Sequence, residues 1–272
     1  MKEEYQQSDT NKCRCPVDNR QMTFLFRRKV LGKYHVSYFR CNDCGLISTE
    51  APYWLDEAYG NAIAGTDIGI LSRNNHNAKL VSVFLNILKI ADEIVVDTAG
   101  GYGILTRLLR DRGINCFSYD KYCKNIFSEN FDGESVRNAK IILAFEVMEH
   151  LHDPMAFLKE NLNRYHPDMM IFSTLTFKEE PPPDWWYYSL HTGQHITFYQ
   201  TGTLQVVADR LGLYYYSVNE SYHLFSRHKI SGFKLFLMRN KIAITVLGVL
   251  YSKLYRHRNL LQVDYDEIVS NL

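Results

Sequence analysis

The pattern of apolar and polar positions changes period along the chain. Ile94, Val95 and Val96 are consecutive apolar β-formers ahead of Asp97, the pattern of a strand packed on both faces. Thr98-Ala99-Gly100-Gly101-Tyr102-Gly103 breaks the run, and Ile104, Leu105, Leu108 and Leu109 then recur at helical spacing. A strand, a glycine-rich turn and an amphipathic helix in this order aim free helix N–H groups into a crevice at the carboxyl end of the strand, where polar or anionic ligand groups bind. Upstream, Leu80, Val81, Phe84, Leu85 and Leu88 predict an amphipathic helix leading into that strand. Further strands are predicted at Asn115 to Asp120, Ile141 to Ala144 and Met169 to Thr174. This alternation predicts an α/β domain with a doubly wound, mostly parallel, Rossmann-like sheet.

The second predicted strand ends at Asp120, 23 positions after Asp97, where a carboxylate can accept the hydroxyls of a ribose. A nicotinamide enzyme would look much the same to this point. The segment Phe145-Glu146-Val147-Met148-Glu149-His150-Leu151 separates the two readings. With it, the chain resembles the class I S-adenosylmethionine-dependent methyltransferases over roughly residues 54 to 215: Asp97, Gly101 and Gly103 match their first motif, and a Glu-Val-x-Glu-His-Leu segment often follows their fourth strand. The resemblance implies a methyltransferase fold with S-adenosylmethionine held by Asp97, Ala99, Gly100, Gly101, Gly103, Asp120, Lys121, Phe145 and Glu146. Ala99 stands where the family has its first glycine, and a negative φ is expected for it. The helix before the glycine strand commonly closes over the methionine end of the cofactor, so Arg73 is expected to pair with its carboxylate and Tyr59 to border its methyl group.

Composition narrows the setting. A chain of 272 residues, 46% of them hydrophobic, can bury one good core with a small appendage. Its formal net charge of +1 provides no global field for duplex nucleic acid, and no nucleic-acid partner is expected. Met1 to Gln7 are polar and acidic with no apolar run after them, so no secretory signal is expected and the cytoplasm is the default location.

Cys13, Cys15, Cys41 and Cys44 form two cysteine turns flanking two segments of strand character, Met22 to Phe26 and Tyr34 to Arg40. In a cytosolic chain this spacing suggests tetrahedral zinc before disulfide. Either Cys13 and Cys15 both ligate, or Cys15 and Asp18 do with Cys13 outside; the four-cysteine set is the expectation. Such a Zn2+ would staple a minidomain too small to fold alone.

Beyond the fifth strand, Pro181, Pro182 and Pro183 break regular structure and predict a loop at the same edge as the glycine turn. It carries Trp186, Tyr187 and Tyr188, then His191, Gln194 and His195. The segment resembles a subgroup of methyltransferases of sugar and polysaccharide pathways, in which an aromatic loop precedes a Gln-His or Glu-His pair. An N-terminal zinc ribbon also occurs among sugar C-methyltransferases, which carry Glu-His there. Gln194 and the lack of their long C-terminal domain favour oxygen over carbon as the methylated atom. The resemblance implies a sugar or glycan acceptor, with Trp186, Tyr187, Tyr188 and Gln194 contacting it. His195 is the first candidate for general base, followed by His191 and His150, since imidazole is suited to proton transfer near neutral pH. A quinone or aromatic acceptor, or a non-catalytic zinc-ribbon binding module, are the alternatives.

The tail from residue 231 reads as helical. Its uncharged run, Ile242 to Ser252, is too short to span a bilayer, which needs roughly 20 apolar residues. With Arg239, Lys241, Lys253, Arg256 and Arg258 flanking it, the tail admits peripheral membrane contact, which would suit a lipid-linked acceptor; packing on the body or on a second subunit is the favoured expectation. The expected units are a zinc ribbon (1–50), a methyltransferase domain (51–230) and the tail (231–272).

Overall fold

A computed structural model describes residues 13–60, 67–254 and 259–270. Met1 to Gln7 lie outside them, as do Arg256 and Arg258.

In chain order the N-terminal part contributes β1 (Met22–Val30), β2 (Tyr34–Cys41), β3 (Ile47–Thr49) and a short helix α1 (Leu55–Ala58). Then follow α2 (Ile70–Leu88), β4 (Val95–Thr98), α3 (Ile104–Arg110), β5 (Cys116–Tyr119), β6 (Ile141–Ala144), α4 (Pro154–Tyr165) and β7 (Met169–Ser173). β8 (Thr176–Phe177), β9 (Thr197–Gln200), α5 (Thr201–Leu211), β10 (Tyr214–Ser217) and β11 (Tyr222–Ser226) complete the body. Three helices end the chain: α6 (Gly232–Arg239), α7 (Lys241–Leu254) and α8 (Leu261–Ser270).

The main sheet runs β10-β11-β7-β6-β4-β5. β5, β4, β6 and β7 are parallel, whereas β11 and β10 join antiparallel at the edge. Side chains of successive strand residues leave opposite faces, and both faces are buried. Val95, Ile141, Leu143 and Ile171 pack with Phe84 and Leu85 of α2 and Leu105 and Leu109 of α3. Val96, Ile142, Ala144 and Phe172 pack with Leu158 of α4 and Leu204 and Val207 of α5. This two-sided burial is why the strands read as continuous apolar runs. β4 has β5 on one side and β6 on the other, so the chain reverses direction of sheet growth there, and a crevice opens at the carboxyl end of β4.

The second sheet runs β1-β2-β3-β9-β8. β3 pairs with β9 through Ile47↔Phe198 and Ser48↔Thr197. The expected boundary at residue 50 therefore falls inside one continuous hydrogen-bonded sheet: the N-terminal strands share backbone partners with the segment after the proline loop. Their joint core includes Val36, Tyr38, Trp54, Tyr188, Ile196 and Phe198.

The tail packs on the body. Asp264 of α8 is buried and accepts from two of the three Arg110 guanidinium nitrogens, Nε at 2.9 Å and Nη2 at 2.6 Å, with Arg107 Nη1 at 2.8 Å. Gly248 of α7 lies close enough to α2 that a Cβ there would touch Val83. Ile242, Val246 and Val249 stay exposed along one face of α7. Among the described residues no helix is long and apolar enough to cross a membrane.

Candidate active site

The glycine turn is built by close approach. A Cβ on Gly100 would lie 2.6 Å from Ser118 Oγ and 2.8 Å from Asp97 Oδ2, and one on Gly103, at φ +79°, would lie 2.1 Å from Asn125 Oδ1. Beside them Gly101 faces open space, so the turn presents bare backbone to the crevice. Ala99 has φ +60°, contrary to the negative value expected of it. The tight turn out of β4 demands a left-handed residue at this point, and alanine takes that conformation at a cost of about 1 kcal/mol.

Asp97 is buried at the end of β4. Burial and the neighbouring Asp120 charge push its carboxyl up to about 8. Asp120 Oδ2 accepts the Gly101 N–H at 2.9 Å, and Oδ1 accepts the N–H groups of Tyr122 and Cys123, each at 2.8 Å. A carboxylate offers about four lone-pair sites. Three are thus occupied by the loop, and a ribose taking both hydroxyls to Asp120, as expected from the sequence, would displace part of this arrangement. Lys121 is exposed, and Phe145 is half-buried with its ring 6.1 Å from that of Tyr222.

Glu146, after β6, holds a left-handed φ of +56°, a strained state for a residue with a Cβ. Its N–H donates to Ser173 Oγ at 2.8 Å, Ser173 Oγ donates back to Oε1 at 2.7 Å, and Arg73 of α2 sits 3.8 Å from Oε2. Arg73 also pairs with Asp67 at 2.6 Å. Gly101, Asp120, Glu146 and Arg73 therefore border one carboxyl edge.

Glu149 and His150 follow in a single turn of 3-10 helix, Met148–His150. Three hydrogen bonds bring the loop after the prolines onto that turn: Ile196 N–H to the Glu149 carbonyl (2.9 Å), Thr197 Oγ1 to the Leu151 carbonyl (2.6 Å) and the Tyr199 hydroxyl to the Met148 carbonyl (2.9 Å). The result sets His195 against His150, with ring centroids 4.8 Å apart and nearly perpendicular. His195 Nδ1 lies 2.8 Å from the Tyr187 carbonyl, and His150 Nδ1 lies 3.0 Å from both the Gln194 carbonyl and the Tyr59 hydroxyl. A carbonyl only accepts, so each Nδ1 carries the hydrogen and each Nε2 keeps its lone pair. Burial lowers both imidazoles to about 4, so both are neutral at neutral pH. Glu149 is wholly buried and its carboxyl is pushed up to about 7 by burial and by the Glu146 charge. In the sequence its only signal is its place beside His150 in the Glu146–Leu151 segment.

The other candidates fall into different places. His191 is exposed on the outer turn. Gln194 is buried and its Nε2 donates to the Ala58 carbonyl at 2.8 Å, so its side chain holds α1 rather than facing an acceptor. Tyr188 is fully buried against Phe26, Tyr38 and Phe198, and the Tyr187 hydroxyl accepts the Leu175 N–H at 3.0 Å. Both rings belong to the shared core, which corrects their expected role as exposed platforms. Trp186 alone of the three is exposed, at 72%.

The cysteine cluster also departs from expectation. Ligand atoms of Cys15, Asp18, Cys41 and Cys44 all lie within 4.8 Å of one another. Cys15 Sγ is 3.6 Å from Cys44 Sγ, and Asp18 Oδ2 is 3.3 Å from Cys41 Sγ. Tetrahedral zinc with thiolates at about 2.3 Å requires sulfurs about 3.8 Å apart, so the set fits that ion. Cys13 points instead at Met22 Sδ, 3.9 Å away. Arg14 bridges to Gln21, and the Asn19 N–H bonds the Cys15 carbonyl at 2.8 Å, closing a turn that returns Asp18 beside Cys15.

A doubly wound sheet with a glycine turn at its switch point and an acid at the end of the next strand defines a Rossmann-like fold whose crevice suits a nucleotide-like ligand. The model of a methyltransferase domain family matches residues 72–218, more than half of the chain. The chain belongs to this family and is an S-adenosylmethionine-dependent methyltransferase. No curated protein matches it. Similar solved structures include magnesium protoporphyrin IX methyltransferase from Synechocystis with bound S-adenosylhomocysteine (11% identity over 63% of this chain and 90% of that one, TM-score 0.43). The mitomycin 7-O-methyltransferase is 13% identical over 58% of this chain and 55% of its own, with TM-score 0.44. Human N-acetylserotonin methyltransferase is 12% identical over 59% of this chain and 53% of its own, with TM-score 0.41.

Proposed function

We propose that the acceptor is a hydroxyl of a sugar or glycan and that it meets the His150 and His195 side chains at the carboxyl edge. The observation that carries this reading is the pair of neutral imidazoles with free Nε2 atoms on the same edge as the glycine turn, with Tyr59 linking them to the cofactor side. The exposed Trp186 supplies a flat apolar face of the kind that pyranose rings stack on. Bound S-adenosylmethionine supplies an electrophilic sulfonium methyl. The chain aligns the acceptor in line with it: the O–C bond forms as the S–C bond breaks, a thioether leaves, and the hydroxyl proton passes to His195 Nε2. Zinc at Cys15, Asp18, Cys41 and Cys44 would tie the turn before β1 to the end of β2, stiffening the sheet that delivers His195. Incubating the full chain with methyl-labelled cofactor and a panel of nucleotide sugars and glycan extracts tests the acceptor class. Label entering sugars is expected; label entering only quinones or phenols would refute it.

A further inference from the structure

Glu149 has no counterpart in the chemistry given so far. It is 0% exposed, and neither carboxylate oxygen has a partner within hydrogen-bond distance. The nearby Tyr187 hydroxyl accepts from the Leu175 N–H and keeps its own hydrogen, which can serve one carboxylate oxygen at most. An unpaired carboxylate in such a place is costly unless it takes up a proton or a cation compensates it. One ligand atom from each of Glu149, His150 and His195 lies within 4.8 Å of the others, and the two histidines, unlike Glu149, are open on one side. Each imidazole gives its Nδ1–H to a backbone carbonyl, Gln194 for His150 and Tyr187 for His195. Ring orientation by a carbonyl on the far nitrogen is the usual support of a metal-bound histidine, because it fixes the tautomer with the lone pair on the other nitrogen.

We propose that Glu149, His150 and His195 form a divalent-cation site with open positions for water and acceptor oxygens. One carboxylate and two imidazoles suit Mn2+, Fe2+, Co2+ or Zn2+. Glu146 is close but stays outside the set, since Ser173 and Arg73 hold its carboxylate. The inference rests on the acceptor reading of this edge and deepens it. With an ion in place His195 would be a ligand instead of the base, and the ion would supply Lewis-acid acidification of the acceptor hydroxyl, whose proton would pass to solvent water. Mn2+ is the suitable probe, because a hard ion avoids the thiolates of the separate cysteine cluster.

The test is a titration of chelator-treated full chain with Mn2+ alone, followed by loss of the free-ion electron paramagnetic resonance signal. One saturable Mn2+ per chain is expected, weakened at least tenfold by Glu149→Gln and by His195→Asn and unchanged by His228→Ala at an exposed histidine. The His195 variant keeps the test readable should Glu149→Gln fail to fold. Absence of saturable binding, or equal binding in wild type and both site variants, overturns the cation site. Sugar methylation without Mn2+ binding would remove the ion and leave the acceptor class standing; Mn2+ binding without sugar methylation would do the reverse.

Discussion

Asp120 fastens the glycine turn to the end of the next strand by accepting the Gly101 N–H at 2.9 Å. The same carboxylate therefore shapes the crevice, and a cofactor ribose is expected to compete with the loop for it. Replacing Asp120 with alanine removes charge-assisted hydrogen bonds worth about 1.5–3 kcal/mol each. Calorimetry is expected to show S-adenosylmethionine affinity falling at least tenfold, with Asp120→Asn in between.

Gly100 and Ala99 make opposite predictions within one turn. Gly100→Ala would drive a Cβ onto Asp97 and Ser118, and a loss of about 1–3 kcal/mol is expected. Ala99→Gly relieves a left-handed alanine and should cost nothing or stabilise by up to about 1 kcal/mol. Urea unfolding of the two variants checks both signs.

His195→Ala should leave cofactor affinity intact and abolish turnover, because the ring lies beyond the glycine turn and faces His150. Unchanged turnover would take His195 out of the reaction in either role proposed for it.

Metal content separates the two cysteine sets. Cys13→Ser is expected to retain one zinc per chain, whereas Cys44→Ser and Asp18→Ala are expected to lose or weaken it. Elemental analysis after gel filtration reads this directly, and zinc loss on Cys13→Ser would restore the four-cysteine arrangement.

His223 is expected to make the fold acid-sensitive. It is fully buried, donates Nε2–H to the Thr174 carbonyl, accepts from the Tyr215 hydroxyl at Nδ1, and is lowered from 6.5 to about 4 by burial. Below pH 6.5 the unfolded chain binds a proton that the folded chain refuses, so stability is full above that pH and declines as the pH falls toward 4. The loss attributable to this residue amounts to about 3 kcal/mol. Comparing chemical unfolding of wild type and His223→Gln across this window should show a shallower decline in the variant.

Much of the core was legible in the sequence because local rules govern it. Consecutive apolar residues at Val95–Val96 and Ile141–Leu143 announce strands buried on both faces, and the glycines at 100, 101 and 103 announce a turn whose backbone must approach its neighbours closely. From these came the doubly wound sheet and, with the Glu146–His150 segment, the methyltransferase class. What only the tertiary structure decided depends on side-chain direction and long-range contact. Whether Cys13 or Asp18 faces the other cysteines turns on the closure of one short turn, Asn19 N–H to the Cys15 carbonyl, and on Cys13 packing at Met22. Tyr188 is core and Trp186 is exposed although they stand two apart, because the shared sheet buries one side of their turn. Glu149 meets His195 across 46 residues only because Ile196, Thr197 and Tyr199 bond the backbone at Met148 to Leu151. No spacing in a linear chain encodes that encounter; it follows from β9 pairing with β3 in the second sheet.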